Sequence, residues 1–180
     1  MMSYQKLGVV YLLLTLLMCP FATAEEVYLQ PEDFVSQAFD QNPPPPSALW
    51  LDTALKEQAA KILDHPYRSI RVRYWVKEGR SAWILEEIGK VKPITIGFVV
   101  EDNRIQTAKV LIYRESIGWE IRHPFFTDQF NQVGMDDRLK LDRTIDGISG
   151  ATMSVSAMEK LSRLALLFAR NLPVLGDEKP

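Results

Sequence analysis

The chain has 180 residues, of which 47% are hydrophobic, and its 21 lysines and arginines against 23 aspartates and glutamates give a formal net charge of -2. That mildly acidic balance argues against a nucleic-acid partner, which calls for a clearly basic domain or stripe. The single cysteine, Cys19, falls in the N-terminal segment, so the chain beyond it has no disulfide, no thiolate metal site and no cysteine nucleophile.

The first two dozen residues carry one positive charge at Lys6, an apolar stretch from Leu7 to Met18, and Ala22-Thr23-Ala24 just before Glu25-Glu26. These are the parts of a secretory signal peptide over residues 1–24, with cleavage after Ala24 and export to the periplasm or beyond as the expectation. An uncleaved N-terminal anchor is the alternative, because Leu7 to Ala24 is just long enough to cross a thin bilayer. Lipid attachment at Cys19 is disfavoured by Met18, which stands where a lipoprotein signal has a small residue. Without the segment, roughly 155 residues remain, slightly more negative overall and enough for one well-buried core.

Residues 25–66 read as a helical lead-in. Gln30 to Asp40 predicts a short helix with Phe34, Val35, Ala38 and Phe39 inward, and the prolines Pro43 to Pro46 then impose a stiff extended connection. A second helix, about Asp52 to Leu63, carries Leu55, Ala59, Ile62 and Leu63 on one side. His65 and His123 each precede a proline in loop-like surroundings, and the lack of any other histidine argues against a metal site or histidine-based triad.

From Ile70 the period changes to two. Ile70, Val72, Tyr74 and Val76 alternate with Arg71, Arg73, Trp75 and Lys77, and Glu78-Gly79 supplies a turn into Arg80 to Glu87. Ile94, Ile96, Phe98 and Val100 form a third strand, and Asp102-Asn103 tolerates the positive φ of a hairpin turn into Ile105 to Tyr113. Four strands joined largely by tight turns imply an antiparallel sheet. With helices before and after the sheet, the predicted class is α+β with the C-terminal helix packed on one face. Arg68, Arg71 and Arg73 read either as a solvated strand face or as a mate for an acidic patch.

The most informative segment is Asp146-Gly147-Ile148-Ser149-Gly150-Ala151-Thr152. An amphipathic run follows, Met153 to Arg170, with Val155, Met158, Leu161, Leu164, Ala165 and Phe168 at helical spacing, so Thr152 sits where a helix begins. The first turn of a helix has unpartnered N–H groups and a partial positive charge, which suits an anion such as phosphate. Gly147 and Gly150 lack a Cβ and let the preceding loop turn tightly. The plainer reading is a glycine-containing loop with a threonine helix cap.

Asp-x-x-Ser-Gly-Ala-Thr resembles the flavinylation motif of the FMN-binding domain family, which includes subunits of sodium-pumping NADH:quinone reductase, of ion-pumping ferredoxin oxidoreductases, and many periplasmic flavoproteins. The resemblance extends upstream through Pro93 to Val100, Arg104 to Arg114, the turn Glu115-Ser116-Ile117-Gly118, and Phe126-Thr127-Asp128-Gln129-Phe130, covering roughly Trp83 to Arg170. The chain departs from the family at Asn131-Gln132, where Gly-Lys is common, and at Met153, where a small or β-branched residue is common.

The resemblance implies an FMN-binding domain over residues 67–172, followed by a polar tail over 173–180. It implies FMN held covalently by a phosphoester on Thr152, installed by a magnesium-using FAD:protein FMN transferase, with Asp146, Ser149, Gly150 and Ala151 shaping the site. Asp146 either accepts local backbone N–H bonds or helps position magnesium during attachment. Glu115 and Gly118 are implied near the flavin ring, and Trp119, beside Gly118 in the turn from Glu115 to Ile121, is the candidate aromatic wall; the plainer readings are a surface carboxylate for Glu115 and a half-buried sheet-corner aromatic for Trp119. The implied function is an exported electron carrier serving redox partner proteins, membrane-bound ones included. The alternative is a flavin-dependent reductase domain or subunit acting on a small electron acceptor, which this short chain equips with no additional substrate domain or nicotinamide motif.

Overall fold

The computed structural model describes residues 25–173. The signal segment over 1–24, and all but the first residue of the polar tail, lie outside the described residues. The class is α+β as expected, but the sheet has six strands rather than four, all antiparallel, in the order β1-β6-β5-β4-β3-β2. The strands are β1 (Glu26–Val27), β2 (Ser47–Trp50), β3 (Arg71–Lys77), β4 (Arg80–Ile88), β5 (Pro93–Glu101) and β6 (Arg104–Tyr113).

The two additional strands are the sheet's edges, and both come from the segment read as a helical lead-in. At two and four residues they are too short to display a period of two, and β2 follows directly on the proline run. They become strands because β6 and β3 offer free edges: Glu26 and Val27 pair with Tyr113 and Ile112, and Ser47 to Trp50 pair with Tyr74 to Arg71. Ile70 precedes β3 and is exposed instead of joining the alternation.

Helix α1 (Pro31–Ala38) is shorter than its periodic run, since Asp40 and Gln41 are left-handed and end it. Helix α2 (Thr53–Leu63) starts behind Asp52, whose carboxylate accepts the Leu55 N–H at 2.8 Å as an N-cap. Both hairpin turns form where expected, and the left-handed backbone anticipated at Asp102-Asn103 is found at Glu78-Gly79 as well. Between β6 and the C-terminal helix lie elements absent from the sequence reading: 3₁₀ turns at Trp119–Arg122 and Asp128–Phe130 flanking the one-turn helix α3 (Pro124–Thr127). Among the described residues no helix is long and apolar enough to cross a membrane.

Helix α4 (Thr152–Arg170) packs with α2 on one face of the sheet, where Leu161, Leu164 and Phe168 meet Trp83, Ile96 and Phe98 in the main core. Each such fully buried side chain contributes roughly 1.5–3 kcal/mol. Trp83 stacks against Tyr74 and donates its indole N–H to Ser81 Oγ at 2.9 Å, so the bulkiest core residue leaves no polar atom unpaired. On the opposite face α1 places Phe34, Val35, Ala38 and Phe39 over Ala82, Val99 and Leu111. Strand β5 is therefore buried on both sides, which explains its nearly continuous apolar run.

Candidate functional site

The loop before α4 is suspended from the Asp128–Phe130 turn. Asp146 donates its backbone N–H to Gln129 Oε1 at 2.7 Å, and Gln129 returns its amide N–H to the Asp146 carbonyl at 3.3 Å. Ile145 is buried and Ile148 packs against the core, anchoring the loop from inside. Farther upstream, Asp142 accepts the Gly134 N–H at 2.9 Å and pairs with Arg104 at 3.0 Å; these bonds hold its carboxyl below the usual aspartate range. The Asp146 carboxylate accepts no local backbone N–H among the described residues. Its backbone, held by Gln129, fixes the loop instead.

Gly150 is left-handed at φ +83°, and this turn lets the Ala151 N–H reach the Ile148 carbonyl at 3.0 Å. Ser149 and Gly150 are exposed, while Ala151 is buried and occupies the cap position with no side-chain capping bond. Thr152 is consequently the first helical residue, exposed and not the cap. The first intrahelical bond runs from Val155 N–H to the Ala151 carbonyl at 2.9 Å, so the N–H groups of Thr152, Met153 and Ser154 lie at the helix mouth.

The turn after β6 is fastened to this mouth. Tyr113 donates its hydroxyl to the Ile117 carbonyl at 2.5 Å, and the Ser154 hydroxyl, 2.9 Å away, completes the bond to Tyr113 Oη. Burial raises the Tyr113 pKa above the ordinary value, which keeps the phenol protonated for this role. Gly118, left-handed at φ +86°, fits into the junction: a Cβ there would stand 2.7 Å from Ser154 Oγ and 2.9 Å from Tyr113 Oη. Gly118 is thus placed directly against the Ala151–Ser154 segment.

Glu115 is neither a free surface carboxylate nor part of that junction. Its Oε1 accepts the N–H groups of Lys90, Val91 and Lys92 at 2.5, 2.5 and 2.8 Å, closing the hairpin between β4 and β5. Partial burial pushes its pKa up, but the three N–H bonds prevail and hold the carboxyl below its ordinary value.

Glu115, Tyr113, Lys92, Arg114 and Trp119 line a pocket of about 400 Å³. Trp119 is 41% exposed, with the Arg122 guanidinium 4.9 Å from its ring and His123 edge-on at 5.5 Å. Volume and aromatic wall suit a planar ring system, Lys92 and Arg114 are offset in the lining by Glu26 and Glu115, and the helix mouth supplies N–H donors that suit a phosphate.

Of the residues singled out in the sequence, Asp146, Ser149, Gly150, Ala151 and Thr152 thus form one loop and helix start, Gly118 touches it, and Glu115 and Trp119 line the adjoining pocket. Sequence reasoning missed the parts played by Tyr113 and Ser154, separated by 41 positions. It quoted Gln129 only within a motif. A polar residue between Met153 and Val155 in the first helical turn was the sole available signal for Ser154, and nothing signalled its partner.

The antiparallel α+β fold thus fastens a helix mouth beside a pocket large enough for a planar ring system. Residues 89–167 match the family model described as FMN-binding domain. A match to that family over this stretch implies an FMN cofactor and is consistent with a flavin-carrying electron-transfer protein. No curated protein and no solved structure matches the chain.

Proposed function

We propose that this protein is an exported electron carrier whose FMN is joined by a phosphoester to the Thr152 hydroxyl. The observation that carries this reading is an exposed threonine at the first position of α4, beside three N–H groups at the helix mouth, within the FMN-binding stretch. In the attachment step Thr152 Oγ forms a bond to the FMN-side phosphorus of FAD, the pyrophosphate bond breaks, AMP leaves, and the threonine proton is released. An FAD:protein FMN transferase with magnesium performs it, with the exposed Asp146 carboxylate available to the metal.

Neighbouring hydroxyls are less suited. Ser154 is buried and engaged by Tyr113, while Ser149 is exposed but precedes the helix by three residues. FMN supplies reversible electron transfer, and the chain's part is to orient and retain it. A covalent tether keeps the local flavin concentration high after export into a dilute compartment, whatever the intrinsic affinity. The ring can then remain accessible to redox partner proteins at the rim formed by Trp119, Ile117 and Met153, all exposed.

The apolar N-terminal stretch supports export, with an anchored form differing only in whether residues 1–24 are retained. Coexpression with the transferase tests attachment. The expected result is a mass increase matching an FMN phosphoester and flavin fluorescence on the denatured band, both lost in Thr152→Ala. A labelled Thr152→Ala protein overturns the assignment to Thr152; unlabelled wild type overturns covalent attachment.

A further inference from the structure

A second concave surface lies on the sheet face opposite α4. There α1 covers the middle of the sheet and packs against Trp75, but leaves Arg71 and Arg73 of β3 exposed. The result is a groove of about 990 Å³ with Arg71, Arg73, Trp75 and Ile84 on its floor, α1 along one side, and the proline run at one end. Proline's fixed φ stiffens that end, so the groove exists before anything enters it.

Its charge is unbalanced. Arg80, Arg104, Arg114 and Arg122 each pair with a carboxylate, whereas neither Arg71 nor Arg73 has an ion-pair partner among the described residues. Glu32, on the α1 side, is the only acidic residue lining the groove and pairs with neither. The Arg71 guanidinium lies 5.7 Å from the Trp50 ring centre, a cation–π contact that restrains the head while leaving its N–H donors available.

The spacing adds a specification. Arg71, Arg73 and Trp75 are alternate residues of β3 on one face, because Val72 and Tyr74 point into the core. Successive members are about 7 Å apart, the repeat of any extended chain. We propose that this groove docks an extended acidic segment of a partner protein, with carboxylates two residues apart on Arg71 and Arg73 and an apolar side chain two residues further on Trp75. The surface is independent of the loop bearing Thr152, so neither reading depends on the other.

The test uses the full chain as isolated and a fluorescent heptapeptide, Leu-Ser-Glu-Ser-Glu-Ser-Leu, whose pattern reads alike in both directions. Anisotropy should rise saturably, fall with added salt, and show affinity about three- to tenfold weaker in the Arg71→Gln/Arg73→Gln variant. The isomer Leu-Ser-Ser-Glu-Glu-Ser-Leu, which sends its carboxylates to opposite sides, should bind more weakly than the first peptide. Hydrogen exchange should report protection of residues 69–75. Absence of saturable binding, equal affinity in the variant, or equal binding of the isomer overturns the proposal. An unchanged melting temperature for the variant ensures that its loss of binding is local.

Discussion

Three glycines around the helix mouth form a graded experiment on what holds the site together. Gly147 has no atom within 4 Å of the position a Cβ would occupy, Gly150 has equally open space but φ +83°, and Gly118 combines φ +86° with the close approach of Ser154 and Tyr113. Gly147→Ala should be neutral or raise stability by roughly 0.4–1 kcal/mol, because it only restricts the unfolded chain. Gly150→Ala carries the left-handed backbone alone, about 1–2 kcal/mol. Gly118→Ala adds a clash with two hydroxyls that cannot both retreat without breaking their bond, together roughly 3–5 kcal/mol. For a domain of this size that corresponds to a melting temperature lowered by about 6–20 °C.

Urea and thermal unfolding of protein made without the transferase measure all three variants free of any flavin contribution. A double variant then isolates the junction. Ser154→Ala alone should cost little, since Tyr113 keeps its bond to the Ile117 carbonyl. Combined with Gly118→Ala it should recover at least about 1 kcal/mol relative to the sum of the singles. If Gly118→Ala melts with Gly150→Ala, or the double variant is merely additive, the turn is not packed against the helix mouth as described.

Thr152→Val should change the stability of flavin-free protein by less than about 0.5 kcal/mol, because the cap position belongs to Ala151 and makes no side-chain bond; a loss near 1 kcal/mol in urea unfolding would reinstate a capping role. Glu115→Gln should alter the acid side of the stability profile. A carboxyl whose folded pKa lies below its ordinary 4.5 stabilises the fold above that value and loses its contribution as pH falls through the folded pKa. The melting-temperature gap between wild type and Glu115→Gln should therefore narrow between pH 7 and pH 3, and a constant gap would contradict it. Gln129→Ala removes both partners of the Asp146 backbone, so amide exchange at Asp146 to Gly150 should accelerate several-fold with little change in global melting; unchanged exchange would mean that Ile145 and Ile148 alone secure the loop.

Long periodic segments were legible without coordinates. The inward residues of α1 and α2, the four central strands, and the α4 face with Leu161, Leu164 and Phe168 all follow from apolar spacing, since each element must bury one stripe or one side. The positions of both hairpin turns were legible too, the Asp102-Asn103 turn because its residues tolerate positive φ, as was the placement of Thr152 at a helix start. The resemblance carried by the loop and strands was likewise visible, and residues 89–167 match the FMN-binding domain family model.

Tertiary structure decided what depends on partners distant along the chain. Strands β1 and β2 are too brief to carry a pattern and exist because neighbouring strands needed hydrogen bonds. Glu115 serves a hairpin more than twenty residues earlier, and Gln129 carries the loop that contains Asp146. The meeting of Tyr113, Gly118 and Ser154 arises only when the sheet's end and the helix's beginning are brought face to face. Local sequence encodes periodicity and turn chemistry because those are properties of neighbours, whereas the shape of this site is a property of contacts formed after the chain has closed on itself.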